Sequence, residues 1–371
     1  MARQITAAVA RAVKGELTLE TLELGDPRER EILVRNVATG ICHTDISMRD
    51  QLYPVPQPIV LGHEGAGVVE RVGPAVSKVA PGDHVVMSYN SCGGCPSCLE
   101  HQPSYCHDFF GYNFGGSRPD GSSPLSSPEG VVHGNFFGQS SFATHSICHE
   151  RNVVKVPDDA PLELVGPLAC GVQTGAGAVI NSLGVRPGTS VAVFGAGSVG
   201  LSAVMAARLC GAGAVISVDL DDRRLATARE LGATHVVNAG SQRPVEAIRE
   251  ITGSGADRSL EAVGSATVLR QAVECLAPRG VCGMVGGTSP EDEVRLNIVH
   301  LMTGGRTVRG IVEGDSTPEV FIPQLIELYR RGSFPFDRLL AFYDFAAINQ
   351  AIHDAETGVA IKAIVRFGAA P

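Results

Sequence analysis

Basic residues are scarce in this chain. Lys and Arg total 30 against 39 Asp and Glu, a formal charge of −9, which leaves no basic face for a nucleic-acid partner. Apolar runs are short as well. None reaches the roughly 18 residues that a membrane-spanning helix needs, so no membrane partner is expected. Met1 to Gly15 lacks the continuous apolar stretch and small-residue cleavage site of a signal peptide. With Arg3, Arg11 and Lys14, that segment reads better as an opening strand. No internal repeat occurs. These absences point to a cytoplasmic protein. What is present suits a folded one: 44% apolar and 19% charged residues over 371 positions exclude wholesale disorder, and at roughly 150 residues per domain the length suggests two domains.

The two domains differ in pattern. Up to about residue 170, short β-branched runs such as Ile32–Val37, Gly67–Val72 and His84–Met87 are punctuated by Gly and Pro, which predicts a compact barrel-like sheet. After Gly171 strands and helices alternate. Strands are expected at 190–194, 214–218, 235–238, 258–262 and 281–285, with helices at 201–210, 222–231, 244–252 and 266–276. That alternation is the signature of a doubly wound parallel sheet. An amphipathic helix over 318–330 and a last strand at 363–367 return the chain to mixed structure. The expected fold is therefore α/β, with a Rossmann domain over 172–313 inserted between two pieces, 1–171 and 314–371, of a β-rich domain. His107 to Asn135, rich in Gly, Ser and Pro, is expected to be a long loop. Residues 105–142 hold eight of the 19 aromatics, which points to a functional role for this region.

Three groups of residues carry chemistry. Gly195, Gly197 and Gly200 follow a strand and open a helix. There the first glycine makes the turn, the second admits a pyrophosphate and the third lets helix and strand pack. Ser198 and Val199 lie at the same helix N-terminus, whose N–H groups and partial positive charge suit a phosphate. Asp219 ends the next strand, 19 residues beyond Gly200, where an acid accepts bonds from ribose hydroxyls and repels a 2′-phosphate. This favours NAD over NADP, although Arg223 and Arg224 nearby soften the preference. The second group is Cys92, Cys95, Cys98 and Cys106. Four thiolates close a tetrahedral zinc site with no open position, a structural site. An iron–sulfur cluster uses similar spacing, and disulfides are disfavoured in a reducing compartment. The third group is dispersed: Cys42, His63 and Cys170 each sit beside Gly, and spacing alone does not show that they meet.

These motifs together resemble the zinc-dependent medium-chain alcohol dehydrogenases. The resemblance runs over nearly the whole chain, through Gly62-His63-Glu64, the four-cysteine lobe, Cys170-Gly-Val-Gln-Thr-Gly175 and the glycine loop. Phe136-Phe-Gly-Gln-Ser-Ser-Phe142 and Phe334-Pro-Phe-Asp-Arg338 narrow it to the bacterial aryl- and benzyl-alcohol dehydrogenases and enzymes of allylic terpene alcohols. It implies a GroES-like catalytic domain around the Rossmann unit. It further implies two zinc ions, one structural and one catalytic on Cys42, His63 and Cys170. Asp45 would hold His63, Glu64 would help exchange the open zinc ligand, and Thr44 would take the alcohol proton. His43 and Lys362 match positions that contact the pyrophosphate, Arg224 one near the adenosine ribose, and Thr174 another coenzyme position. Phe136 and Phe137 align with the substrate pocket, and Ser88 occupies a pocket position often filled by a bulkier residue. One departure stands out: the relay position that often carries His is Ser47 here, and serine does not titrate near neutrality.

The resemblance implies NAD-linked oxidation of a primary aryl or allylic alcohol to its aldehyde, by a homodimer or homotetramer acting on a small-molecule alcohol or aldehyde. Three alternatives stay open. A glutathione-dependent formaldehyde dehydrogenase shares the motifs. A zinc-free quinone or enoyl reductase on the same scaffold would lack the cysteine lobe. A non-enzymatic zinc-ribbon adaptor would leave the glycine loop and Asp219 unexplained.

Overall fold

A computed structural model describes residues 3–368. The chain divides into two units. One comprises the chain up to Cys170 together with Thr317–Ile326 and the residues from Asp337 onward; the other comprises Gly171–Ser316 and Glu327–Phe336. The junction after Cys170 lies one residue from the boundary expected at 171. The second junction differs more. Residues 314–316 group with the second unit, where Asn181 Nδ2 donates to the Gly314 carbonyl at 3.1 Å and Ser316 Oγ to Gln173 Oε1 at 3.0 Å, and so do Glu327–Phe336, the division falling inside helix Pro318–Arg330. Its last turn and the following loop also form their own apolar cluster, Tyr329 lying 4.9 Å from Phe336.

The first unit contributes β1 (Arg3–Ala10), β2 (Thr18–Leu24), β3 (Glu31–Gly40), β4 (Ile59–Val60), β5 (Glu64–Val72) and β6 (His84–Met87). It continues with β7 (Leu125–Ser127), β8 (Gly130–Val132), β9 (His145–His149) and β10 (Val153–Lys155). The second unit contributes β11 (Ser190–Phe194), β12 (Ala214–Asp219), β13 (His235–Asn238), β14 (Ala256–Glu261), β15 (Leu276–Met284) and β16 (Thr307–Gly310). The chain then returns to the first unit with β17 (Leu340–Asp344) and β18 (Lys362–Arg366).

The strands of the first unit form two sheets rather than one. β4-β1-β2-β7-β8 is the smaller, and β10-β6-β5-β3-β18-β17, with β9 also on β3, the larger. Residues 142–144 link them. The Phe142 carbonyl accepts from Ala8 N at 2.8 Å, and the Thr144 carbonyl accepts from Asn36 N at 2.9 Å. Between the sheets lies an apolar core including Ile5, Val9, Leu22, Leu61, Phe136 and Phe142. The expected 107–135 loop is partly ordered: it carries helix Phe109–Phe114 and a hairpin that pairs Leu125 with Val132 and extends β2. Its serines and glycines hid that hairpin, because only Val131 and Val132 are β-branched.

The second unit is a six-stranded sheet, β13-β12-β11-β14-β15-β16, parallel throughout. Its central strands are buried on both faces, as the run Val191–Phe194 shows. Ala192, Phe194, Ile216 and Val218 fill one face with Ile248 and Leu269 from the helices. Among the described residues no single helix is long and apolar enough to cross a membrane.

Candidate metal centre and coenzyme loop

The dispersed trio meets within the first unit. Cys42 follows the end of β3 as the N-cap of helix His43–Arg49, and Asp45, in that helix's first turn, reaches back to accept from Cys42 N at 2.9 Å. His63 immediately precedes β5, and Cys170 closes the turn Gly166–Ala169. One donor atom from each of Cys42, His63, Glu64 and Cys170 lies within 4.8 Å of all the others.

The hydrogen bonds say how His63 is aimed. Its Nδ1 lies 2.8 Å from Asp45 Oδ1, which also accepts from Gly62 N at 3.0 Å. A carboxylate can only accept, so Nδ1 carries the proton and Nε2 is left with its lone pair. That Nε2 is buried with no hydrogen-bond partner among the described residues. Burial pulls the imidazole pKa down, but the Asp45 carboxylate and the Cys42 thiol raise it well above the ordinary value. The Cys42 thiol is held well below its ordinary value by a hydrogen bond with Cys170, against burial and with help from the Lys362 ammonium. A thiolate beside an imidazole that holds a second proton this firmly favours positive charge between them, and a bound cation supplies it in the proton's place. Two sulfurs and one nitrogen fit Zn²⁺ with one coordination position left over.

Glu64 and Lys362 stand next to this cluster. Lys362 Nζ donates to Glu64 Oε1 at 2.7 Å, to Glu64 Oε2 at 2.8 Å and to the Ile41 carbonyl at 3.1 Å. Its side chain is 2% exposed, and these bonds use all three of its protons. Lys362 was expected at a pyrophosphate; a buried ammonium must be paired, and the partner it has here is Glu64. Burial raises the Glu64 pKa and the lysine opposes it. Gly40 makes room for the carboxylate, since a Cβ there would lie 1.9 Å from Glu64 Oε2. His43 is exposed and Thr44 half-buried, with Thr44 Oγ1 3.7 Å from Cys42 Sγ.

Aromatic rings pack against the cluster. Phe137 stacks on the His63 ring with centroids 4.5 Å apart, and Phe136 meets it edge-on at 5.7 Å. Phe114 extends this wall, 5.1 Å from Phe137, and Phe109 stands 6.4 Å from Phe137. Ser88 is fully buried and donates its hydroxyl to the Ala169 carbonyl at 2.7 Å, so it holds the turn that carries Cys170. The four clustered cysteines also converge, their sulfurs within 4.8 Å of one another. Backbone N–H groups of Gly94 and Cys95 point at Cys92 Sγ, 3.4 and 3.3 Å away. The His107 N–H and that of Cys98 pull the Cys95 pKa to about 6, whereas burial pushes Cys106 to about 12. Such a mixed set is what a bound cation converts to thiolates.

In the second unit Gly195 (φ +95°) turns the chain out of β11, and Gly197 caps helix Ser198–Leu209. A Cβ at 197 meets nothing within 4 Å, whereas one at 200 would lie 1.7 Å from the Gly195 carbonyl. The middle glycine therefore faces open space, as a pyrophosphate site requires, and the last is a packing contact. Ser198 and Val199 lie in the first turn of that helix. Asp219 ends β12 and ties the loop down. Its Oδ2 accepts from Ala196 N at 2.6 Å, and its Oδ1 accepts from Leu220 N at 2.7 Å and Asp221 N at 3.0 Å. Arg223 is paired with Asp221 at 2.7 Å, while Arg224 Nε is buried without a hydrogen-bond partner among the described residues. Thr174 is buried within helix Gly171–Gly177, its hydroxyl 3.4 Å from Glu313 Oε2.

Two residues escaped the sequence reading. Glu261 ends β14 as Asp219 ends β12, and its buried Oε1 accepts from the N–H groups of Val263 at 2.9 Å and Gly264 at 2.8 Å. An acid closing an apolar strand was the available signal. Gln139, whose amide reaches the backbone of His63, lies inside the Phe136–Phe142 stretch that carried the resemblance, but nothing in that stretch assigned it a role.

Comparison with known proteins gives the family of the chain. Residues 28–158 match the alcohol dehydrogenase GroES-like domain, and residues 198–330 match the zinc-binding dehydrogenase domain. A geraniol dehydrogenase from Castellaniella defragrans is 48% identical over 97% of each chain. The structure of an alcohol dehydrogenase zinc-binding domain protein from Burkholderia ambifaria superposes with a TM-score of 0.97 at 54% identity, over 99% of each chain. That of benzyl alcohol dehydrogenase from Acinetobacter calcoaceticus gives a TM-score of 0.96 at 47% identity, over 99% of this chain and all of the other.

Proposed function

Since the chain belongs to the zinc-binding medium-chain alcohol dehydrogenases, we propose that it oxidises primary aryl or allylic alcohols to aldehydes with NAD. In this reading Cys42, His63 and Cys170 hold a catalytic zinc, and Cys92, Cys95, Cys98 and Cys106 hold a structural one. The observation that carries it is the buried, unpartnered His63 Nε2 beside two thiols, with an aromatic wall stacked on the same ring. When bound, zinc supplies a Lewis acid that acidifies an alcohol hydroxyl, and the nicotinamide supplies the hydride acceptor.

The protein's own groups do the rest. Asp45 fixes the imidazole tautomer and direction. Thr44 Oγ1 receives the alcohol proton and passes it to solvent, because Ser47 offers no titratable group. Phe136, Phe137 and Phe114 keep water from the carbinol carbon and stack on a flat substrate. A benzyl-type alcohol or geraniol is therefore expected to exceed ethanol in kcat/KM by at least about tenfold, since one buried ring or alkenyl chain is worth more than 1.4 kcal/mol. Steady-state kinetics with the three alcohols tests this, and equal values would defeat the substrate class.

Asp219 supports the choice of NAD. Three of its roughly four lone-pair sites are occupied by backbone N–H groups, which leaves one for a ribose hydroxyl and a negative charge against a 2′-phosphate. Asp219→Gly is expected to lower the NAD-over-NADP preference at least about tenfold, a charge repulsion of modest size. It is also expected to raise KM for NAD, because the glycine loop loses its anchor. An unchanged preference would show that the acid does not read the ribose.

The reading extends to a cytoplasmic homo-oligomer. None of the ten cysteines is joined in a disulfide, which suits a reducing compartment. Helix Ile298–Gly304, which leads into the edge strand β16, exposes Ile298, Val299 and Met302 by 76, 61 and 71%, an apolar face suited to a second copy.

A further inference from the structure

We infer that Gln139 is a positioning residue for the Cys42–His63–Cys170 centre, its buried amide setting the distance between the two strands that carry the metal-binding arms. The inference rests on the metal reading above. β5 and β6 pair as Val68–His84, Gly67–Val85 and Ala66–Val86. There the ladder stops, although the next residues, Gly65 and Met87, face each other. Between them lies the Gln139 carboxamide, 1% exposed.

Its Oε1 accepts from Gly65 N at 3.0 Å. Its Nε2 donates to the His63 and Met87 carbonyls, both at 3.0 Å, with the Ser88 carbonyl at 3.3 Å. Only this amide orientation works, since the flipped one would set a donor against an N–H and an oxygen against three carbonyls. The side chain thus acts as one extra peptide unit, continuing the ladder while holding the strands apart. Gly65 permits it, because a Cβ there would lie 3.0 Å from Gln139 Oε1 and 2.4 Å from Met87 Cε.

Both arms of the centre depend on that spacing. One strand leads through the His63 carbonyl to its imidazole. The other leads through Ser88, whose Oγ holds the Ala169 carbonyl at 2.7 Å, to Cys170. The same residue sits in the turn that aims Phe136 and Phe137 at His63. That turn is unusual: Asn135, Phe137, Gly138 and Ser140 all have left-handed φ, from 49° to 65°. It is pinned elsewhere by Ser140 Oγ donating to the Val60 carbonyl at 2.6 Å and Asn152 Nδ2 donating to the Gly138 carbonyl at 3.1 Å. Gln139 is therefore the link between an independently anchored aromatic turn and the ligand spacing.

The test uses holoenzyme in which cobalt replaces zinc, with Gln139→Met, which keeps length but removes the amide, and Gln139→Glu, which turns an acceptor toward three carbonyls. The expected result has three parts. The visible d–d and thiolate charge-transfer bands of the Cys42–His63–Cys170 ion shift, while those of the four-cysteine ion do not. Chelator removes the first ion about tenfold faster or more, the range seen when groups behind a ligand are lost, with Glu worse than Met. The kcat for benzyl alcohol falls, while KM for NAD stays. Unchanged bands and chelation rates, with only a lower melting temperature, would overturn the inference in favour of a purely structural amide. Failure of both variants to fold would overturn it too, since the role would then be fold-wide. A parent enzyme that takes up cobalt only in the four-cysteine lobe would overturn the metal assignment and the inference with it.

Discussion

Cys42→Ser is expected to lower kcat at least about a thousandfold, because a metal centre contributes several kcal/mol to the transition state and about 4 kcal/mol corresponds to that factor. One of two zinc equivalents should leave with the thiolate, as metal analysis would register. The fold should survive. Cys42 is the N-cap of helix His43–Arg49, and serine is a better N-cap than cysteine, so the helix start loses nothing. Cys95→Ser is the contrast. Its sulfur belongs to the lobe of Cys92, Cys98 and Cys106, where metal binding is folding energy for a loop with little core of its own. The melting temperature should drop, while turnover per folded molecule stays close to the parent value. If both variants lost only stability, the division of labour between the two clusters would be wrong.

The contrast also marks what the sequence could and could not disclose. Helix Pro318–Arg330 and strands β11 and β13 were legible to the residue, because an amphipathic period or a short apolar run between turn residues has few other solutions. The four cysteines within 15 positions announced by proximity alone that their sulfurs meet. The convergence of Cys42, His63 and Cys170 did not follow from spacing, since 107 positions separate the last two, and only the family resemblance joined them. The hairpin at 125–132 and helix Ile348–Glu356 went unread because their sequences are weak locally and are fixed by what they pack on. The Lys362–Glu64 pair was hidden for a related reason. The family resemblance offered only a pyrophosphate contact for this lysine, and nothing local reveals a carboxylate 298 positions away that lies 2.7 Å from its nitrogen.

That pair yields the other large effect. Lys362→Met is expected to cost about 3–5 kcal/mol, because it strands Glu64 as a buried charge with no partner. Adding Glu64→Gln should recover most of that loss, since removing both charges is far cheaper than removing one. The pH dependence has a definite sign. Burial already raises Glu64 above its ordinary 4.5, with Lys362 opposing the rise. Without the lysine the carboxyl climbs further and is protonated in the folded state where the unfolded chain has released the proton. Stability from that proton is complete below about pH 4.5 and drains away as pH rises through the folded value. The deficit of Lys362→Met against the parent, read from urea midpoints, should thus be smallest in acid and widen toward neutrality, and the double variant should show no such widening. Were Lys362 instead a coenzyme contact, the single variant would raise KM for NAD and leave the urea midpoint where it was. The three bonds that consume its ammonium protons inside the first unit argue for the former outcome.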